Sequence, residues 1–298
     1  MNIRHYLILA SAGLLALLAA SCAPRGGAIS YEQRHFSDST AHAYLVMGLE
    51  LPAARPGAAR VIREALVEVM DQALCHADTY VDERAFPRFS GDPDDTDALM
   101  DYYTAQTLEH VGSLSQSDYE ERESAIRESD TLTPEEKDLL SAEAPKWAYE
   151  FNLGLENDTD RYAVFHHLDY AYTGGAHGGI LGSGFLTFDK QDGHQVTPVL
   201  QPDCTEDIQP LLVKGLMEYF EDADGPLTED ELFEILLFDQ EGVIPLPTWE
   251  PYPSPEGLVF TYQQYEIASY AAGMPSFAVP FDQVRPYLSA DALRVFGL

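Results

Sequence analysis

The residues best equipped for chemistry gather at one glycine-rich stretch, Tyr170-Ala-Tyr-Thr-Gly-Gly-Ala-His-Gly-Gly179. His177, flanked by small residues, is a side chain that can exchange protons near neutrality. A general base also needs a partner and a reacting group within hydrogen-bond reach. His166, His167, Asp169 and Tyr172 lie nearby in the chain, but in no order known for a nucleophile and its base. The sequence holds no G-x-S-x-G elbow, no H-E-x-x-H and no phosphate-binding loop. Gly174 and Gly175 permit the positive φ of a turn or bulge, the commonest reason for such glycines. The stretch is therefore expected to be an architectural turn with no catalytic residue. Tyr172, Gly174, Gly175 and His177, with Tyr265 further along, are the candidate ligand contacts.

Metal chemistry finds equally little support. His166-His167-x-Asp169 falls in a period-two segment, where neighbouring side chains point to opposite faces. Only His167 and Asp169 would share a side, too few for a metal site. Asp92-Pro-Asp-Asp-Thr-Asp97 lacks the glycine and the later bidentate glutamate of a calcium loop, and reads as a solvated acidic loop. No Cys/His spacing suggests zinc. No metal and no cofactor are expected. Cys75 and Cys204 remain as an even pair if Cys22 is modified. They are open to a disulfide or to two buried thiols, and a bond needs Cα atoms within about 7 Å.

The N-terminus reads as an address. Arg4 and His5 precede an apolar run from Tyr6 to Ala20, too short to span a bilayer comfortably, as in an export leader. Leu18-Ala-Ala-Ser-Cys22 resembles a bacterial lipobox, which would make Cys22 the lipidated first residue of the mature chain. Ala23 follows, without an acidic run, which suggests the outer membrane and a periplasm-facing protein. The expected organisation is a signal peptide at 1–21, a lipidated tether at 22–39, an N-terminal α+β subdomain at 40–145 and a C-terminal domain at 146–298. The formal charge is −33, and removing a leader with Arg4 and no acidic residue takes it to −34. Acids are spread through the chain, so the field repels nucleic acid and favours encounter with cationic partners. Nucleic-acid binding is excluded.

The elements follow from periodicity. Ala41–Leu51 reads as a strand, and Gly57–Leu74 carries apolar residues at helical spacing. Acidic helical segments run to about Ala144, the last starting at Thr133-Pro134. Trp147, Tyr149, Phe151, Leu153 and Leu155 alternate as a half-buried strand, Asn157-Asp158 turns it, and Arg161–Tyr172 returns. Thr205–Phe220 is helical, and Thr228-Glu-Asp-Glu231 is a capping box. After the proline-rich 245–255 connector come a strand at 257–262, a short helical turn from Tyr265 to Ala272, a strand at 275–280 and two closing helices. The fold class expected is α+β, an antiparallel sheet with helices packed on one face and two subdomains.

Four segments carry a family resemblance. Tyr172-Thr-Gly-Gly-Ala-His-Gly178, Phe188-Asp-Lys-Gln-Asp-Gly193, Gly257-Leu-Val-Phe-Thr-Tyr-Gln-Gln-Tyr-Glu-Ile-Ala-Ser-Tyr-Ala-Ala-Gly273 and Val279-Pro-Phe-Asp-Gln-Val-Arg-Pro-Tyr-Leu288 are similar, in order, to motifs of the RsiV-type extracytoplasmic domain. That resemblance implies a domain of largely unknown function, found in a lysozyme-binding anti-sigma factor, beside peptidoglycan deacetylase domains and alone in lipoproteins. Neither anti-sigma nor deacetylase activity is expected here, since the sequence shows no segment for either. The reading is a non-catalytic envelope lipoprotein that binds a lysozyme-like cationic protein or peptidoglycan. Its rivals are a cell-wall or ester hydrolase using His177, and a purely structural lipoprotein.

Overall fold

The computed structural model describes residues 28–76, 84–142, 146–174, 178–221, 227–237 and 242–298. The expected leader at 1–21, Cys22, Gly175 and His177 lie outside the described residues. Among the described residues, no helix is long and apolar enough to cross a membrane.

Strand β1 (Tyr31–Ser39) pairs antiparallel with β2 (Ala43–Pro52), from Tyr31 opposite Pro52 to Ser39 opposite Tyr44. The tether expected at 22–39 thus gives way to a full edge strand over its last nine residues. Its polar composition concealed it, because the ladder, two aromatic anchors (Tyr31 and Phe36) and polar bonds from Glu32 and Arg34 to α2 hold it. Tyr31 sets its ring edge-on to Phe165, with centroids 5.9 Å apart, and donates its hydroxyl to Asp158 at 3.0 Å. In β2 the alternation is plain: Ala43, Leu45, Met47, Leu49 and Leu51 are buried, and the residues between them face outward.

Helix α1 (Ala58–Cys75) buries Ile62, Leu66, Met70 and Leu74 along one face against that strand. Helix α2 (Thr96–Glu128) begins at Asp95, whose carboxylate accepts from Ala98 N at 3.0 Å. The acidic stretch 92–97 is therefore a cap and a source of ion pairs, Asp94 with Arg60 at 3.1 Å and Asp97, in the first turn, with Arg34 at 2.5 Å. Helix α3 (Pro134–Ala142) starts with a reciprocal cap: Thr133 N donates to Glu136 Oε2 at 2.8 Å, and Glu136 N donates to Thr133 Oγ1 at 3.3 Å.

This long helical crossover returns the chain to β3 (Trp147–Asp158) running parallel to β2, with Ala43 opposite Trp147 and Leu49 opposite Leu153. One pairing therefore departs from the antiparallel sheet expected. A crossover of this length delivers the chain to the end of the sheet from which it left. β4 (Tyr162–Tyr172) and β5 (Gly179–Asp189) complete an antiparallel meander, giving the order β1-β2-β3-β4-β5. The turn expected at Asn157-Asp158 falls at Thr159–Arg161 instead, because a bulge between Leu155 and Asn157 carries the strand further.

The remainder contributes helices α4 (Gln209–Phe220) and α5 (Glu229–Ile235), and the latter has the expected Thr228/Glu231 capping box. A three-stranded sheet follows, β6 (Tyr252–Pro253), β7 (Leu258–Thr261) and β8 (Ser276–Val279), then α6 (Phe281–Val284) and α7 (Ala290–Phe296). The class is α+β.

β4 lies between two cores. Ala163 and Phe165 join the core under α1 and α2, whereas Tyr162 and Val164 join the core of α4, β7, β8 and α7. The boundary expected between 145 and 146 consequently passes inside the five-stranded sheet. Cys75 belongs to the first core and Cys204 to the second, and both are buried free thiols. No disulfide joins the two in this structure.

Candidate functional site

The glycine stretch and the tyrosine-rich 257–273 segment, about 90 residues apart in sequence, meet at one end of the large sheet. Gly178 is the joint between them. Tyr270 donates its hydroxyl to Gly178 O at 3.1 Å, and Gly178 N–H donates to the Tyr170 hydroxyl. A Cβ at position 178 would overlap that hydroxyl. Two neighbouring bonds extend the seam: Ile180 N donates to Gln264 Oε1 at 3.4 Å, and Gln263 Nε2 donates to Ser183 O at 3.0 Å. Gly174 has φ +90°, the turn conformation for which a glycine was expected. Gly178→Ala is therefore expected to cost about 1–3 kcal/mol through overpacking. It should also quench the packing-dependent near-ultraviolet dichroism of the tyrosines, while the far-ultraviolet spectrum holds.

The aromatic residues of 257–273 form a cluster that divides in two. Phe260 and Tyr262 are fully buried in the second core, with Tyr262 donating to Pro245 O at 2.9 Å. Tyr265 is 64% exposed and takes φ +64°, a left-handed conformation that costs a non-glycine residue about 1 kcal/mol or more. Its ring lies 5.6 Å from that of Tyr270. Core packing thus accounts for half the cluster and leaves Tyr265 displayed.

Register shows what surrounds this seam. On the sheet face turned away from α1 and α2, Tyr170 lies opposite Glu150, and Tyr172 lies opposite Ala148, which itself lies opposite Tyr44. Along the same face, Gln33, His35, Gly48, Glu50, Asn152 and Gly154 line a groove of about 320 Å³. The two glycines leave its floor low. A larger hollow of about 510 Å³ between α4 and α5, with Val213, Met217 and Phe233 in its wall, touches none of the motif residues.

The histidines of β4 separate as strand geometry requires. His166 turns to the second core, stacked on Phe185 at 4.4 Å, with its Nε2 3.0 Å from Ser183 Oγ. Ser183 is fully buried, so this serine–histidine contact is a packing bond without access for a substrate. His167 and Asp169 share the opposite face, as expected. Trp249 sets its ring edge-on to His167 at 5.0 Å, lying over Gly184, while the Asp169 carboxylate lies over Gly182. His167 Nδ1 is buried with no hydrogen-bond partner among the described residues. Burial, with a smaller contribution from His166, drives the His167 pKa down to about 4. Burial also pushes the Asp169 carboxyl up to about 7, against the pull of its own backbone N–H.

Asp189, Asp192 and His194 offer three ligand atoms within 4.8 Å of one another. Their bonding is accounted for by α7. Arg294 Nη1 holds Asp189 at 2.7 Å, and the two ring nitrogens of His194 lie 2.6 Å from Asp192 and 2.8 Å from Asp291. The group is a polar clasp between the β5 hairpin and the last helix.

With this geometry in view, comparison places part of the chain. Residues 199–282 match the family model described as "Protein of unknown function (DUF3298)". The DUF3298 match takes in all of Gly257–Gly273 and stops short of Tyr172–Gly178, so the seam joins a residue stretch inside the match to one outside it. No curated protein matches the chain. A crystal structure of a DUF3298 family member from Bacteroides fragilis superposes with a TM-score of 0.60 at 16% identity, covering 91% of this chain and 97% of that one. A DUF3298 family protein from Pseudomonas aeruginosa gives 0.51 at 14% identity, over 90% and 98%. At these identities the likeness is one of fold.

Of the candidate contacts, Tyr172, Gly174 and Tyr265 border the seam. Gly175 and His177 fall outside the described residues. Glu150 was not singled out from sequence, whereas Tyr170 opens the glycine stretch and Tyr270 belongs to the aromatic residues of 257–273. Period-two alternation places Glu150 and Tyr170 on outward positions, but only strand register shows that they are neighbours.

Proposed function

We propose that the chain is a non-catalytic lipoprotein, anchored through Cys22 in the outer membrane and facing the periplasm, whose folded part binds a cationic protein of the lysozyme type. The carrying observation is the disposition of charge. About half of the described cations are consumed within the chain: Arg34, Arg60, Arg84, Arg88, Lys190, Lys214 and Arg294 each pair with a carboxylate, and Arg63 is buried with three oxygen acceptors. The acid excess therefore faces outward. It is dense on the second half of α2 and on α3, where Asp118, Glu120, Glu121, Glu128, Glu135 and Glu136 are exposed. Such a surface draws in basic partners and loses its pull as salt rises. The test is calorimetric titration of the lipid-free chain with lysozyme at about 50 mM and about 300 mM salt, conditions that bracket a Debye length near 8 Å. Binding that weakens at least about tenfold at the higher salt is expected. No heat, or heat indifferent to salt, counts against the proposal.

A second reading, peptidoglycan as ligand, draws on the groove of about 320 Å³ with Gln33, His35 and Asn152 at its rim, which are amide and imidazole groups suited to a polyhydroxylated chain. Salt-resistant co-sedimentation with purified sacculi would favour it over the first.

A further inference from the structure

We infer that Glu150 and the tyrosines around it receive one Lys or Arg side chain of the cationic partner. This rests on the reading above and gives it an address. The face on which Glu150 stands carries a second carboxylate, Glu50, which accepts a bond from Leu155 N at 3.2 Å. Glu150 differs: it is half-buried, and among the described residues its carboxylate has neither a hydrogen bond nor an ion pair. An incoming cation would therefore meet a carboxylate with no internal partner to displace.

The neighbours suit the tip of a basic side chain. Tyr170 stands directly across from Glu150, and Tyr172 is the next residue along the same face. Burial raises the Tyr170 pKa first, with Tyr270, Glu150 and Tyr172 adding to it, which places all four groups within electrostatic reach. The Tyr170 and Tyr270 hydroxyls are tied to Gly178, so both rings are held before any ligand arrives. Tyr265 adds an exposed ring beside Tyr270. Aromatic faces around a carboxylate attract an ammonium or guanidinium by ring quadrupole and charge together. The occupant is a basic side chain of a protein: the surface is open, and the long-range acid field already selects macromolecules of opposite charge.

The test uses the whole lipid-free chain and lysozyme as the probe. Glu150→Gln is expected to weaken binding about tenfold and Glu150→Lys about a hundredfold or more, as for a desolvated charge at an interface. Tyr172→Ala should fall between wild type and Glu150→Lys. Glu120→Gln, an exposed charge on α2, should change affinity less than about twofold, the scale of a screened surface charge. Unchanged melting curves for the Glu150 variants show that folding is intact. If wild type binds while Glu150→Gln and Glu120→Gln behave alike, the address is wrong and the cationic-partner reading stands. If wild type does not bind, both are overturned.

Discussion

Asp71→Ala is expected to destabilise the protein by about 2–3 kcal/mol, the range for losing hydrogen bonds to a buried charged acceptor. For a chain of this size that corresponds to a melting point lower by roughly 10 °C. Asp71 lies on the inner face of α1 with its side chain 1% exposed. Arg84 grips both of its oxygens, at 3.0 and 2.9 Å, and Tyr103 of α2 donates to it at 2.7 Å. Burial alone would lift the carboxyl pKa, but these bonds outweigh it and hold the group ionised below its usual range. The residue therefore ties α1, the loop at Arg84 and α2 together. Asp71→Asn keeps the volume and one acceptor, and should lose about half as much. Equal midpoints for all three proteins in urea would contradict this account.

The second large effect concerns Asp169, and its sign is opposite. Asp169→Asn is expected to stabilise the protein at about pH 8 by up to about 4 kcal/mol, because a carboxyl carried from 3.8 to about 7 resists ionisation by that much. In the folded state Asp169 keeps its proton up to about pH 7, whereas the unfolded chain releases it near 3.8. Its contribution to stability thus falls as pH rises through that window. His167 runs the other way. Its folded pKa of about 4 lies under the ordinary 6.5, so the unfolded chain takes the proton first and stability falls as pH drops from about 6.5 to about 4. Side by side on β4, the two slopes oppose and flatten one another. Each substitution should expose the other group: Asp169→Asn gains stability from pH 4 to 6.5, and His167→Gln loses it from pH 4 to 7. Urea midpoints across this range test the pair, and two variants with the same slope would refute it.

Periodicity was enough to read α1, β3 and β4, and cap chemistry located the starts of α3 and α5. These features depend on neighbours within a few residues. β1 escaped notice because Tyr31-Glu-Gln-Arg-His-Phe36 carries only two apolar side chains, and its stability comes from a ladder and from contacts distant in sequence. The parallel pairing of β2 with β3, and the use of one sheet to divide two cores, are set by how 60 residues of helix fold back, which no local pattern encodes. The same limit applies to the candidate site. Tyr172, Gly174 and Tyr265 stood out by composition. Glu150 could not, since an isolated glutamate in an alternating strand looks like any solvated position until register sets it against Tyr170.

The account turns on one surface of the sheet serving as a receptor, and amide hydrogen exchange of the lipid-free chain with and without lysozyme tests it most directly. Slowed exchange at residues 148–152, 168–174 and 263–272, with little change across α4 and α5, is the predicted pattern. Protection confined to the hollow between α4 and α5, or none while lysozyme is demonstrably bound, would contradict it.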